Sequence, residues 1–248
     1  LRATVMVAVT LLHAFFAKPL TGQEQQFAEL GECPLESGEV IQDCRMGYRT
    51  VRERNEDHSN VILFPSWYGG TSKGALFAVH PEDGFIDPEE YHVIFVDAFG
   101  NGVSSSPSNS ETQPGSRFPT ITIRDMVRQQ HRFLTEILGV EHLLAVTGIS
   151  MGGMQSFEWS VAYPGFAEKF MPVVGSPRLA IYDIVLWETQ MRVLEWAIRC
   201  DCQPPAAINQ GLFFLMGNPD YQARVNPREN LEQVRERMAN ATLQPGRV

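Results

Sequence analysis

The chain has 248 residues, 44% of them hydrophobic and 20% charged, enough to bury a full core in one large domain rather than in two small ones. Its formal net charge is −9 and no run of Lys or Arg forms a basic stripe, so nucleic acid is excluded as a partner on electrostatic grounds.

Residues Leu1 to Thr4 carry one positive charge, and Val5 to Ala17 are apolar apart from Thr10 and His13, before Lys18 and a polar run. That stretch is too short to span a bilayer stably, and it reads as the apolar region of a secretory signal peptide over residues 1–22, with Ala17 or Gly22 as cleavage points. The expected location is therefore periplasmic or secreted. An amphipathic leader on a cytoplasmic protein is the alternative.

From Phe27 to Leu30 and from Val40 to Val51 the alternation predicts two strands joined by a turn over Pro34 to Gly38, an antiparallel pair at one edge of a larger sheet. Cys33 and Cys44 bracket that turn and could pair in an oxidising compartment, whereas Cys200 and Cys202 stand too close in sequence to bridge easily; unpaired buried thiols remain open. The cysteine spacing lacks a zinc pattern, and no metal is expected.

Val61 to Phe64 is a wholly apolar run that ends in Pro65-Ser66-Trp67-Tyr68-Gly69-Gly70. A buried strand entering a glycine-rich loop is a source of backbone N–H groups for an oxyanion, so Trp67 or Tyr68 is the candidate donor; a plain surface turn is the bland alternative. His92 to Asp97 predicts another buried strand. Thr122 to Asp125 opens a helix whose apolar face is Met126, Val127, Phe133, Leu134, Ile137 and Leu138, closed at Gly139.

The segment that organises the chain is Leu143 to Gln155, read as a buried strand, a sharp turn at Ser150 and a helix start. Gly148-Ile149-Ser150-Met151-Gly152 matches the G-x-S-x-G turn, which lifts a serine oxygen above the sheet where a base can reach it. Glycines at 148 and 152 let strand and helix approach, and the Met151 N–H supplies half of an oxyanion hole. Met154, Phe157 and Val161 follow at helical spacing, Pro164 closes the helix, and Phe170 to Gly175 reads as one more strand.

Alternating strands and helices give an open, mostly parallel sheet covered on both faces, with reactive groups on loops at the carboxyl ends of strands. Beyond Ser176 the composition turns helical, over Tyr182 to Arg199, Ala206 to Asn218 and Glu229 to Met238, interrupted by Pro204-Pro205. The division is a core over 23–180 and a helical cap over 181–248. Additional core helices are the alternative for the second part.

A serine nucleophile needs a histidine base, and in this architecture the chain order is Ser, acid, His. All six histidines, His13, His58, His80, His92, His131 and His142, precede Ser150. Three readings compete: an incomplete stretch that ends before the last core strands, a catalytically silent relative, or a migrated base such as His131. Truncation is the favoured one, and no acid among Asp183, Asp201 and Asp220 is assigned to a triad.

At Gly148 to Gln155, with Phe157-Glu158-Trp159, Tyr163-Pro164, Phe118 to Val127 and Val174-Gly175-Ser176-Pro177-Arg178, the chain resembles the homoserine O-acetyltransferase branch of the α/β-hydrolase superfamily. The resemblance covers residues 61–178. It implies the α/β-hydrolase fold, an acyl-enzyme on Ser150, acetyl-CoA or another acyl donor as co-substrate, a homoserine-like acceptor and no bound cofactor. Ser66 to Gly70 stands where family members carry a His-Ala-Leu-Thr-Gly type loop. An exported serine esterase on the same scaffold is the second expectation, and a non-catalytic binding module the third. Partners are then a small acyl donor and acceptor, with a homodimer left open.

Overall fold

Apolar runs with no polar interruption make the middle of the molecule. In the computed structural model, which describes residues 24–57, 59–202 and 227–239 together with 211, 220, 224 and 225, they lie side by side in a six-stranded sheet. The predicted leader, His13, His58 and most of the predicted helix Ala206 to Asn218 lie outside the described residues.

The strands are β1 (Gln26–Pro34), β2 (Val40–Val51), β3 (Val61–Pro65), β4 (His92–Val96), β5 (Leu143–Ile149) and β6 (Ala167–Val173), in the spatial order β1-β2-β4-β3-β5-β6. Every residue of β3 and β4 is buried, as strands covered on both faces must be. The pairs β4–β3, β3–β5 and β5–β6 are parallel, and β1–β2 and β2–β4 antiparallel, so the predicted edge hairpin is present. Cys33 and Cys44 are joined across it with Cα atoms 5.8 Å apart.

The helices are α1 (Ser72–Ala75), α2 (Ile123–Arg132), α3 (Met151–Ala162), α4 (Ile181–Cys200) and α5 (Leu231–Ala239). Helix α2 starts on a capping box, with Thr122 and Asp125 each accepting the other's backbone N–H. Its predicted apolar face holds for Met126, Val127, Phe133 and Leu134 but not for Ile137, which is exposed. The chain widens there into a π turn over Phe133–Ile137, closed by Leu138 N–H donating to Phe133 O, and the extra residue per turn rotates Ile137 outward.

Helix α3 forms where the sequence predicts a helix, but the side it buries is not its aliphatic one. Its buried residues are Gly152, Gly153, Gln155, Ser156 and Trp159, whereas Met154 and Phe157 are half-buried and Val161 is 69% exposed. The helix lies so close to the sheet that glycines and hydrogen-bonded polar side chains fill the contact, and bulky aliphatics are turned aside. Strand β6 begins at Ala167, three residues before the predicted Phe170.

Cys200 and Cys202 are also bridged, against the sequence expectation. Asp201 ends α4 in the left-handed region at φ 49°, and Cys202 N–H folds back to donate to Ala197 O, which brings the two Cα atoms to 5.2 Å. Among the described residues no helix is long and apolar enough to cross a membrane.

Candidate active site

At the junction of β5 and α3 the chain turns within one residue. Ser150 has φ 56° and ψ −119°, a region that a residue with a Cβ enters only under strain. Its N–H donates to Val173 O at 2.9 Å, which ties the turn to the end of β6, and its C=O accepts Met154 N–H at 3.0 Å as the first bond of α3. Among the described residues its Oγ has no hydrogen-bond partner. The hydroxyl thus stands at the carboxyl edge of a parallel sheet, above the amino end of a 12-residue helix.

The glycines around it are there because three backbones converge. A Cβ on Gly148 would sit 2.6 Å from Gly152 C, and one on Gly152 would sit 2.4 Å from Pro65 O, the last residue of β3. Gly153 and Gly175 are equally tight, with a Cβ 2.8 Å from Val173 O and 2.5 Å from Gly153 C respectively. The sequence motif accounts for Gly148 and Gly152. The need for Gly153 and Gly175 comes from β6, whose position no motif records.

This packing places the Trp67 loop beside the turn. Ser66 N–H donates to Val96 O and Ser66 Oγ accepts Ala98 N–H, so the chain leaves β3 anchored to the end of β4. Gly70 N–H then donates to Trp67 O at 2.9 Å, closing a tight turn in which Gly69 has φ 67°. Gly70 lies under the Trp67 indole, where a Cβ would approach ring atoms to 2.5 Å. The N–H groups of Trp67, Tyr68 and Met151 find no acceptor among the described residues. These are the donors the sequence nominated, now on two segments in contact through Gly152 and Pro65.

One feature of the site escaped the sequence reading. Asp97, fully buried at the end of β4, accepts Ser72 N–H and Ser72 Oγ–H, both at 2.7 Å, and the side-chain amides of Asn101 and Gln25, both at 3.0 Å; Asn101 also donates to Gly70 O at 3.0 Å. That network holds the far end of the glycine loop. The signal for it in the sequence is one acidic residue directly after an apolar strand, with Asn101 four residues on. Helix α4, predicted over Tyr182 to Arg199, reaches that loop: the Trp187 ring meets the Tyr68 ring edge-on at 5.0 Å, and burial raises the Tyr68 phenol above its usual pKa.

The described histidines are elsewhere. The His131 ring stacks on Tyr163 at 4.0 Å and 9° and packs against Trp159 and Phe166 at the far end of α3. Tyr163 lies about 18 Å along the helix axis from Met151 at 1.5 Å per residue. The migrated-base reading for His131 is therefore overturned. His80 is paired with Asp83, His142 with Glu168, and His92 lies at the amino end of β4, its Nδ1 2.6 Å from Arg52 O and at the opposite edge of the sheet from Ser150.

A sequence profile of the α/β hydrolase fold matches residues 60–175, a span that contains both the glycine loop and the Ser150 turn. The chain is 35% identical over 185 residues to a probable esterase of Corynebacterium glutamicum, covering 74% of this chain and 53% of that protein. It is 32% identical over 186 residues to a homoserine O-acetyltransferase of Nautilia profundicola, covering 68% and 49%. The crystal structure of an acetyl esterase superposes with a TM-score of 0.78 at 30% identity, over 90% of this chain and 70% of that one. The chain spans about half the length of the curated relatives it matches.

Proposed function

We propose, because this chain belongs to the α/β-hydrolase fold family and to its homoserine O-acetyltransferase-like branch, that Ser150 accepts a small acyl group from an ester or thioester and passes it on. The observation that carries this reading is the Ser150 backbone, held at φ 56° and ψ −119° at the start of α3 with its Oγ making no hydrogen bond among the described residues.

In the first half-reaction Ser150 Oγ attacks the acyl carbonyl and gives up its proton to a base. The carbonyl oxygen becomes an oxyanion, taken by the Met151 N–H and by an N–H of the Trp67–Tyr68 loop, with the amino end of α3 adding its positive dipole end. Collapse expels the alkoxide or thiolate, which takes up a proton, and leaves acyl-Ser150. None of the described histidines is placed to serve as that base, so the activity is proposed for the whole natural protein.

The second half-reaction decides between hydrolase and transferase, because water or an acceptor hydroxyl attacks the same acyl-serine. Water is the acceptor that structural likeness favours, since an acetyl esterase superposes with a TM-score of 0.78 and a homoserine O-acetyltransferase with one of 0.67. An alcohol acceptor is the second reading, favoured by the Ser-Met-Gly-Gly-Met-Gln block that runs from Ser150 to Gln155. The acetyl group is the acyl unit both readings share, with acetyl-CoA as the donor in the second. Residues 181–248 are read as a cap over the site, which the Tyr68–Trp187 contact supports, and the Cys33–Cys44 bridge supports an exported protein.

The test is to treat the full-length protein with a fluorophosphonate and with acetyl esters or acetyl-CoA, with and without homoserine. Labelling lost in Ser150→Ala and acetate release independent of acceptor support an esterase. Release that requires homoserine supports the transferase, and absence of labelling ends the serine-enzyme reading.

A further inference from the structure

We propose that Gln155 is a positioning residue for acyl transfer, locking the loop that carries the Trp67 and Tyr68 N–H groups to the first turn of α3 through a one-way chain of buried amides. The proposal rests on the Ser150 reading above.

The chain starts at Trp159, whose indole N–H can only donate. It donates to Gln130 Oε1 at 2.8 Å. With its oxygen taken, Gln130 presents Nε2 to Gln155 Oε1 at 2.6 Å. Gln155 is left with its amide nitrogen facing the site, where it donates to Ser66 O at 3.0 Å and to Met151 O at 3.2 Å. All three side chains are at most 1% exposed, so no water competes for these bonds. An amide can be turned end for end, but the tryptophan at the head of the chain fixes the sense of every bond after it.

Ser66 O belongs to the same planar trans peptide as the Trp67 N–H, so holding the oxygen sets the direction of that N–H, on the opposite side of the plane. The next peptide, with the Tyr68 N–H, is held by Gly70 N–H donating to Trp67 O. Gln155 thereby ties the loop's two donors to the residue that carries the third, Met151. Its amide nitrogen also gives a shared donor to two carbonyls on the two segments, Ser66 O and Met151 O. Preorganised donors are what an oxyanion site requires, because donors that must reorient give back the stabilisation they provide.

Two variants of the full-length protein separate positioning from packing. Gln155→Met keeps an unbranched side chain of similar volume and removes both donors. Its kcat on an acetyl ester is expected to fall about 10- to 100-fold, less than the roughly 10²–10³ for deleting an oxyanion donor outright, with KM unchanged. Gln130→Glu tests the sense of the chain. As a carboxylate it accepts from Trp159 and draws the Gln155 amide round, which turns Gln155 Oε1 onto Ser66 O. As a protonated acid it donates to Gln155 again. The kcat ratio of Gln130→Glu to the natural protein should therefore rise as pH falls, a ratio in which the titration of the base cancels. A Gln155→Met variant with undiminished kcat overturns the proposal, as does a ratio flat with pH. If Gln155→Met does not fold, the Gln130→Glu ratio decides alone. Failure of fluorophosphonate to label the natural protein overturns the Ser150 reading itself, a result distinct from either.

Discussion

Gly152→Ala is the most direct probe of how the site is assembled. The new methyl would lie 2.4 Å from Pro65 O, about 1 Å short of the 3.4 Å at which ordinary contact begins. The oxygen is backbone at the end of β3 and the methyl is fixed rigidly to backbone in the first turn of α3, so no flexible side chain can absorb the overlap. Relief has to come from moving α3 away from β3. Overpacking of this kind costs about 1–3 kcal/mol, which in a domain of this size lowers the thermal midpoint by about 2–12 °C at roughly 2–4 °C per kcal/mol. The same displacement separates the Met151 N–H from the Trp67 loop, and a misplacement of about 1 Å in an assembled site costs on the order of 10²-fold in rate. Gly165→Ala is the matched control. A Cβ there meets nothing within 4 Å, and its φ is not in the left-handed region, so a change within about 0.5 kcal/mol is expected. The assays are the fluorophosphonate labelling rate and the thermal midpoint, measured on both variants. Labelling at the natural rate with an undiminished midpoint in Gly152→Ala would refute the contact between the two segments and the reasoning built on it.

Three further outcomes are expected. Ser150→Gly abolishes labelling but has a higher midpoint than Ser150→Ala, because glycine enters the φ 56°, ψ −119° region freely; strain of about 1–3 kcal/mol is relieved against about 0.5–1 kcal/mol of extra unfolded-state entropy. Burial among Trp159, Tyr163 and Phe166 lowers the His131 pKa, opposed by the Glu136 charge, so the folded chain binds fewer protons there than the unfolded one. Its contribution to stability is full above the ordinary histidine value of about 6.5 and is lost as pH falls below it; thermal midpoints between about pH 5 and 7.5 should show a shallower slope in His131→Phe. Replacing Cys33 and Cys44 together by serine opens a loop with a separation of 11 residues and should remove about 2–3 kcal/mol of stability, seen as a midpoint that no longer responds to reductant at that bridge.

What was legible in the sequence follows from what each signal measures. Strands β3, β4 and β5 contain the unbroken apolar runs Val61 to Phe64, Val93 to Val96 and Leu143 to Val146, as strands in the middle of a covered sheet do, so they can be read directly. The Ser150 turn was legible for a different reason: glycine is demanded by backbone contact, and Gly148 and Gly152 record that contact at fixed spacing. In helix α3 the spacing marks the helix but not its buried face. Met154, Phe157 and Val161 have helical spacing, yet the residues buried are Gly152, Gly153, Gln155, Ser156 and Trp159, because the close approach at the turn leaves no room there for aliphatic side chains. Hydrophobic patterning assumes that what is buried is apolar, and it fails where a helix buries polar groups, as α3 does with Gln155 and Ser156 and α2 with Asp125, Gln129 and Gln130.

The same reasoning explains why the residues that order the site leave no hydrophobic signature. Asp97, Asn101, Gln130 and Gln155 are at most 7% exposed, and a pattern that scores them as surface places them on the wrong side of their elements. Their burial is tolerable because each is hydrogen-bonded: Asp97 accepts four donors, and Gln155 uses both ends of its amide. An apolar core here would pack as well, yet it could not hold the glycine loop from both sides, by Asn101 donating to Gly70 O at one end and Gln155 donating to Ser66 O at the other. A strand-to-helix turn presents a hydroxyl, but a reaction at that hydroxyl needs donors kept in place against the pull of the developing charge. In this molecule that restraint is supplied by buried polar side chains reaching between elements that hydrophobic contact alone would leave free to slide.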